Sequence, residues 1–133
     1  MKKIVTKMKD NLKVFELKIL IVEDDEISGM LLLFMVKDFG KIVLRARNGV
    51  EAVEISRNNP DIDLILMDIQ MPELNGDEAT RQIRQFNKEV IIIAQTGLVL
   101  YKDKKSLIKA GCNDYLSKPI DKTKLFTLIQ KYF

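Results

Sequence analysis

Two acidic stretches hold the chemistry open to this chain. Glu23-Asp24-Asp25-Glu26 places four carboxylates directly after the apolar run Ile19-Leu20-Ile21-Val22, and a second apolar run, Leu64-Ile65-Leu66-Met67, ends on Asp68. Acidic loops are ordinarily just solvated. Here each acid follows a buried-strand pattern, and if those strands are neighbours their ends bring Glu23, Asp24 and Asp68 into one crevice. Carboxylates packed that closely repel and raise one another's pKa, so the arrangement asks for a cation. A hard divalent ion answers it: Mg2+ takes oxygen ligands, one or two of them carboxylates, with Mn2+ as a second candidate. Two further strand ends supply different groups. Val90 to Ala94 leads to the hydroxyl of Thr96, and the run through Tyr115-Leu116-Ser117 leads to the ammonium of Lys118, followed by Pro119. Acid pair, acid, hydroxyl and lysine thus occur in order at four successive candidate strand ends, and polar groups rarely converge in a crevice without purpose.

The elements that must position these groups can be read from periodicity. Short apolar segments rich in β-branched residues run over Lys18 to Val22, Ile42 to Ala46, Leu64 to Met67, Val90 to Ala94 and Asp114 to Leu116. They alternate with segments of helical period near Ile27 to Asp38, Gly49 to Asn58, Gly76 to Phe86, Lys102 to Ala110 and Lys122 to Tyr132. That alternation predicts an α/β fold, a (βα)5 three-layer sandwich of flavodoxin-like type with a parallel sheet in the order 2-1-3-4-5. Its functional crevice lies at the C-terminal strand ends. Gly40 is expected to close the first helix, while Asn48 and Asn75, each preceding a glycine, stand where N-caps are wanted. Residues 18–133 form the expected domain and residues 1–17 a leader or linker. In the latter, Val5, Met8, Leu12 and Phe15 are spaced as on one helical face.

Composition narrows the classes of function. The chain has 133 residues, 47% hydrophobic and 31% charged, which suits one domain with a real core. In residues 1–18 six lysines stand against Asp10 and Glu16, a balance of +4, so the +3 of the whole chain leaves −1 for residues 19–133. A basicity confined to the leader argues against nucleic-acid binding, which needs a concentrated basic face on the fold. No apolar run approaches the roughly 20 residues of a membrane span, so no membrane contact is expected of this domain. A single cysteine permits no intrachain disulfide, and no secretory signal is present, which points to the cytoplasm. Cys112 reads as a small buried hydrophobe. Histidine is absent, so chemistry needing an imidazole must borrow it from another molecule.

The segments Ile19 to Glu26, Leu64 to Gly76 with its string Met-Asp-Ile-Gln-Met-Pro-Glu-Leu-Asn-Gly, Ile91 to Thr96 and Ala110 to Pro119 resemble the response-regulator receiver domains, over essentially all of residues 18–133. The resemblance implies a phospho-accepting domain of a two-component phosphorelay, with Asp68 as phospho-acceptor and Asp24 a direct Mg2+ ligand. It implies that Glu23 acts through water and that the Gln70 backbone carbonyl supplies another ligand. Lys118 would then contact the phosphoryl oxygens, Thr96 would hydrogen-bond one of them, and Asp25 would be an extra acid beside the site. Tyr115 matches the family's rotameric switch residue, and the peptide before Pro119 would be cis. The implied partner is a histidine kinase or a histidine phosphotransfer protein, with an output partner on the face around Tyr115. Asp68 would serve a signalling acceptor that assists its own phosphorylation and dephosphorylation, not a turnover enzyme.

Several surfaces and rivals follow. Gln70 and Leu98 match positions that in the family flank the hydrolytic water. The loop Leu98-Val99-Leu100-Tyr101 is apolar and is expected to pack partly inward. The first helix, Met30 to Val36, is apolar on more faces than one sheet contact needs, so Leu32 and Phe34 are candidates for a docking face toward a phosphodonor. A flavodoxin-type flavin carrier would share the fold, but four acids after the first strand would repel its cofactor. An aspartyl-phosphate phosphatase needs a second acid two residues beyond its nucleophile, where this chain has Gln70. A binding-only pseudo-receiver conflicts with every chemical position being occupied. With no output segment after Phe133, the expectation is a domain working alone or cut from a longer regulator, and the Gln-Met-Pro and Gly-Cys-Asn-Asp-Tyr strings favour a hybrid histidine kinase.

Overall fold

The computed structural model describes residues 4–9, 12–71, 73–97 and 101–133, with side chains over 15–71, 73–97 and 104–133. The first two strands, β1 (Ile4–Lys9) and β2 (Leu12–Phe15), pair antiparallel as a sheet of their own. Then follow β3 (Leu17–Val22), α1 (Glu26–Val36), β4 (Gly40–Ala46), α2 (Gly49–Asn58), β5 (Leu64–Asp68), α3 (Gly76–Arg84), β6 (Ile91–Thr96), α4 (Tyr101–Ala110), β7 (Asp114–Ser117) and α5 (Lys122–Tyr132). The five later strands form one parallel sheet in the order β4-β3-β5-β6-β7, the 2-1-3-4-5 arrangement expected of (βα)5.

Alternation along each strand divides the core in two. Leu20, Val22, Ile65, Met67, Ile92 and Ala94 face Ala52 and Val53 of α2, Ala79 and Ile83 of α3 and Leu107 of α4. Ile19, Ile21, Leu64, Leu66, Ile91 and Ile93 face Leu32 and Val36 of α1 and Leu125 and Ile129 of α5. Both faces of the sheet are therefore covered, which is why these strands read as continuous apolar runs. Removing one such side chain, Leu66→Ala for example, is expected to cost about 2–5 kcal/mol through lost burial and the cavity left behind.

Three expectations need correction. Val5, Met8, Leu12 and Phe15 do not lie on a helix, because the segments holding them are the paired strands β1 and β2. The β-branched Ile4, Val5, Thr6 and Val14 favour that pairing over the helical spacing. Gly40 does not cap α1: the helix ends at Val36 with Lys37 as its C-cap, and Gly40 opens β4, where a Cβ would crowd Val43 and Ile19. Leu32 is 3% exposed and belongs to the core, so it cannot dock a partner. The exposed apolar residues of α1 are Ile27, Met30, Leu31, Leu33 and Phe34. Of the two expected N-caps, Asn48 accepts from Glu51 N at 2.8 Å, whereas Asn75 holds the cap position of α3 without a side-chain hydrogen bond. Cys112 is buried and free.

Candidate functional site

Register assembles the site. Val22 pairs with Met67 and Met67 with Ala94, so the residues one step further, Glu23 and Asp68, emerge side by side at the C-terminal edge of the sheet. Thr96 pairs with Ser117, which brings Lys118 to the same edge. The main-chain N–H of Lys118 donates to the Thr96 carbonyl at 2.8 Å, and the Lys118–Pro119 peptide is cis.

The four-acid run divides by role. Asp25 is the N-cap of α1 and accepts from Ser28 N at 2.8 Å. That hydrogen bond holds its carboxyl below the usual range. Glu26 lies 3.5 Å from Arg45 and 3.9 Å from Arg47. Glu23 and Asp24 are left for the crevice, where their ligand atoms and one of Asp68 all lie within 4.8 Å of one another. Glu23 and Asp68 are buried, at 0% and 2% exposure, while Asp24 is exposed.

Lys118 is the counter-charge. Its ammonium donates to Glu23 Oε1 at 3.0 Å and Oε2 at 3.3 Å, and it stands 3.3 Å from Asp68 Oδ2. Burial alone would lower its pKa, but the hydrogen bond to Glu23 and the charge of Asp68 outweigh burial and raise it. The Asp68 carboxyl is pushed up to about 7, first by burial and then by hydrogen bonding and charge repulsion with Glu23, which Lys118 only partly offsets. One ammonium is thus shared by more carboxylate than it can neutralise.

The loop after Asp68 is tied back onto it. Gln70 N donates to Asp68 Oδ1 at 3.2 Å, and Gly76 N donates to the Ile69 carbonyl at 3.0 Å. At Gly76 a Cβ would overlap the Asp68 carbonyl, so only glycine permits this close return of the chain. Thr96 is buried and lines a cavity of about 330 Å3 with Gln70, Asn75 and Ser106. Tyr115 is half-buried against the core on the α4 side, with the Lys104 ammonium 5.3 Å from its ring centroid. Leu98, Val99 and Leu100, and the side chain of Tyr101, lie outside the described residues.

Sequence reasoning missed two features. Gln95 is 1% exposed beside Asp68, and a polar residue late in the run Ile91-Ile92-Ile93-Ala94 was its only signal. The second is the Arg45 guanidinium, which packs where a Cβ at Gly29 would otherwise stand; a glycine inside a helical pattern was the available hint. No helix is long and apolar enough to cross a membrane among the described residues.

Comparison with known proteins agrees with the fold. The family model of the response regulator receiver domain matches residues 19–130. Hybrid signal transduction histidine kinase B of Dictyostelium discoideum is 41% identical over a match covering 86% of this chain, which spans only 6% of that protein's length. Among solved structures, a co-crystal of the Saccharomyces cerevisiae histidine phosphotransfer signalling protein Ypd1 with the receiver domain of its downstream response regulator Ssk1 matches at 36% identity and a TM-score of 0.82, covering 90% of each chain. The receiver domain of sensor histidine kinase PA1611 of Pseudomonas aeruginosa, with a magnesium ion coordinated in its active site cleft, matches at 33% identity and a TM-score of 0.78, covering 88% of this chain and 97% of that one.

Proposed function

The chain belongs to the response regulator receiver domain family, and on that premise we propose that Asp68 accepts a phosphoryl group from a phosphohistidine on a partner protein of a two-component phosphorelay. One observation carries the reading: Asp68 is buried at the sheet edge among Glu23, Asp24 and Lys118, with its carboxylate 3.3 Å from the ammonium. A carboxylate oxygen of Asp68 attacks phosphorus in line as the phosphorus–nitrogen bond to the donor imidazole breaks. The electron pair of that bond leaves with the imidazole, and an aspartyl phosphate remains. Lys118 offsets charge on the equatorial phosphoryl oxygens, and the Thr96 hydroxyl donates to one of them. With no histidine in residues 1–133, the phosphohistidine must lie outside this domain. The domain is a signalling acceptor that assists its own phosphorylation and dephosphorylation.

The acid cluster fits a hard divalent ion, Mg2+ or alternatively Mn2+, because burial and then the neighbouring Glu23 push Asp68 up to about 7, and a cation beside the three carboxylates offsets both. Asp24, Asp68 and the main-chain carbonyl of Gln70 would hold it directly and Glu23 through water. Bound there, it would supply positive charge beside the transferring group. Asp25 stays out of the ligand set as the cap of α1.

Thr96 and Tyr115 form the switch: the hydroxyl is drawn toward the phosphoryl oxygens, and the Tyr115 ring moves into the space vacated. An output partner then reads the face around Tyr115, and Tyr115→Ala with intact output coupling would refute this. The donor, a histidine kinase or a histidine phosphotransfer protein as in the yeast complex, docks on the exposed stripe Ile27, Met30, Leu31 and Phe34 of α1. Phe34→Asp should slow transfer from a protein donor and leave labelling by a small phosphodonor intact. Residues 18–133 act as the receiver and 1–17 as its linker, in a cytoplasmic setting, with proteins as partners in place of nucleic acid or membrane. The 41% identity to a hybrid kinase favours that context.

The deciding experiment is incubation with acetyl phosphate, with and without Mg2+, followed by intact-mass measurement. One Mg2+-dependent phosphoryl adduct is expected on the parent and none on Asp68→Ala. An Asp68→Ala chain labelled as readily as the parent would overturn the proposal.

A further inference from the structure

Gln95 is the penultimate residue of β6. Neither its amide nitrogen nor its amide oxygen has a hydrogen-bond partner, although the residue is 1% exposed. Alternation sets it on the sheet face of Ile91 and Ile93, toward α1 and α5. Glu23, two residues past Ile21, and Asp68, two past Leu66, continue that same face. Register pairs Gln95 with Asp68 on one side and Leu116 on the other, and same-face side chains of paired strands stand about 5 Å apart. Gln95 lines a cavity of about 380 Å3 between α1 and residues 118–120, and Glu23 and Lys118 line that cavity too.

A buried amide left idle disfavours the state in which it is idle. The bonding of Lys118, a donor only, bears on the idle oxygen. An ammonium has three protons to donate; that of Lys118 donates to Glu23 Oε1 and Oε2 at 3.0 and 3.3 Å and forms an ion pair with Asp68 Oδ2 at 3.3 Å. It is held by these two acids, and the Gln95 amide has no partner. When Glu23 and Asp68 turn to a cation, the ammonium loses those acceptors, and Gln95 Oε1 is a buried acceptor left unused on a residue that lines the same cavity.

We propose that Gln95 is a positioning residue for Lys118, accepting a hydrogen bond from the ammonium in the cation-loaded state so that its remaining protons stay aimed at the phosphoryl oxygens. The inference rests on the reading of Asp68 and its cation given above. The metal-free and loaded states then differ by one buried hydrogen bond that only the loaded state makes. The cavity gives the lysine stem room to take up that position. Gln95 touches no reacting atom and acts only through Lys118.

The test is a double-mutant cycle with Gln95→Met, which keeps the side-chain length without the amide, and Lys118→Ala. Two quantities are measured on each chain: the affinity for beryllofluoride with Mg2+, by calorimetry, and the thermal midpoint without metal. Gln95→Met should weaken beryllofluoride binding about tenfold, as expected for a lost hydrogen bond to a charged group. It should also raise the metal-free midpoint, because an unpaired buried amide is gone. In the Lys118→Ala background the tenfold loss should vanish. Unchanged affinity, or a loss that persists without Lys118, overturns the role. So does a lowered metal-free midpoint, which would mean the amide is satisfied at rest. Gln95→Leu stands in if Gln95→Met does not fold, and failure of both to fold contradicts an idle amide outright. If the parent chain itself does not bind beryllofluoride, the Asp68 reading has failed instead.

Discussion

Strand β5 is bracketed by two buried aspartates that the molecule treats in opposite ways. Asp63, just before the strand, accepts from Lys18 N at 2.9 Å through Oδ2, while its own N–H donates to the Lys18 carbonyl at 2.8 Å. The Lys18 ammonium is in turn held by Asn59 at 3.0 Å and Asp61 at 2.9 Å. At this end of the sheet the buried acid is matched by a fixed main-chain donor, and the Lys18 ammonium pairs with the exposed Asp61. Asp68, at the other end of the same strand, shares a single ammonium with a second buried acid and is pushed up to about 7. Burial is common to both aspartates, so burial does not mark function. What distinguishes them is whether the charge is locally compensated or left waiting for a counter-charge from outside.

The largest expected effect tests that contrast directly. Asp68→Asn should abolish Mg2+-dependent labelling by acetyl phosphate, whereas Asp63→Asn should still be labelled; intact mass reads both, and loss of label in the Asp63 variant would break the comparison. Next in size, Lys118→Ala should slow labelling by about 10²–10³-fold, the range for removing one preorganised electrostatic contact to developing charge. Lys118→Arg should not restore it, since a planar fork does not replace a point charge at such a site.

Stability against pH sharpens the contrast further. A carboxyl whose folded pKa lies above its unfolded value binds its proton more tightly when folded, so its charged form opposes folding. For Asp68, raised from 3.8 to about 7, that opposition is absent below the lower value, grows as pH rises between the two, and is complete above the upper one. Metal-free Asp68→Asn should therefore match the parent near pH 4 and exceed it at pH 8 by on the order of 2–4 kcal/mol in denaturant unfolding. Mg2+ should narrow that gap by stabilising the parent more than the variant, which lacks one of the carboxylates. The smallest effect belongs to the matched end: Asp63→Ala should cost about 1–3 kcal/mol, the penalty for orphaning a buried N–H, with labelling by acetyl phosphate preserved.

The acid and lysine of the crevice were legible in the sequence because each sits where an apolar strand run stops, and parallel register carries those stopping points to one edge. Five βα units followed from the same alternation, and their order from right-handed crossovers and the flavodoxin-like arrangement. Less visible was the allocation within Glu23-Asp24-Asp25-Glu26, since which acid caps α1 depends on where its first turn begins and which acid meets Arg45 depends on β4. Leu32 was misread because a run apolar on every side does not announce which face meets the sheet. The spacing of Val5, Met8, Leu12 and Phe15 fits a helix, yet β1 and β2 pair there as strands, and pairing is a partner effect that single-segment periodicity cannot contain. Gln95 was invisible as a participant because its significance comes wholly from the absence of a partner in three dimensions.

Gly76 has a genetic consequence out of proportion to its chemistry. It reacts with nothing, yet any larger residue would press on the Asp68 carbonyl and force the acceptor off its rung. A survey that replaces each codon with every alternative should find position 76 nearly as intolerant as position 68, and a lineage drifting away from signalling could lose activity there while its acidic residues stay untouched.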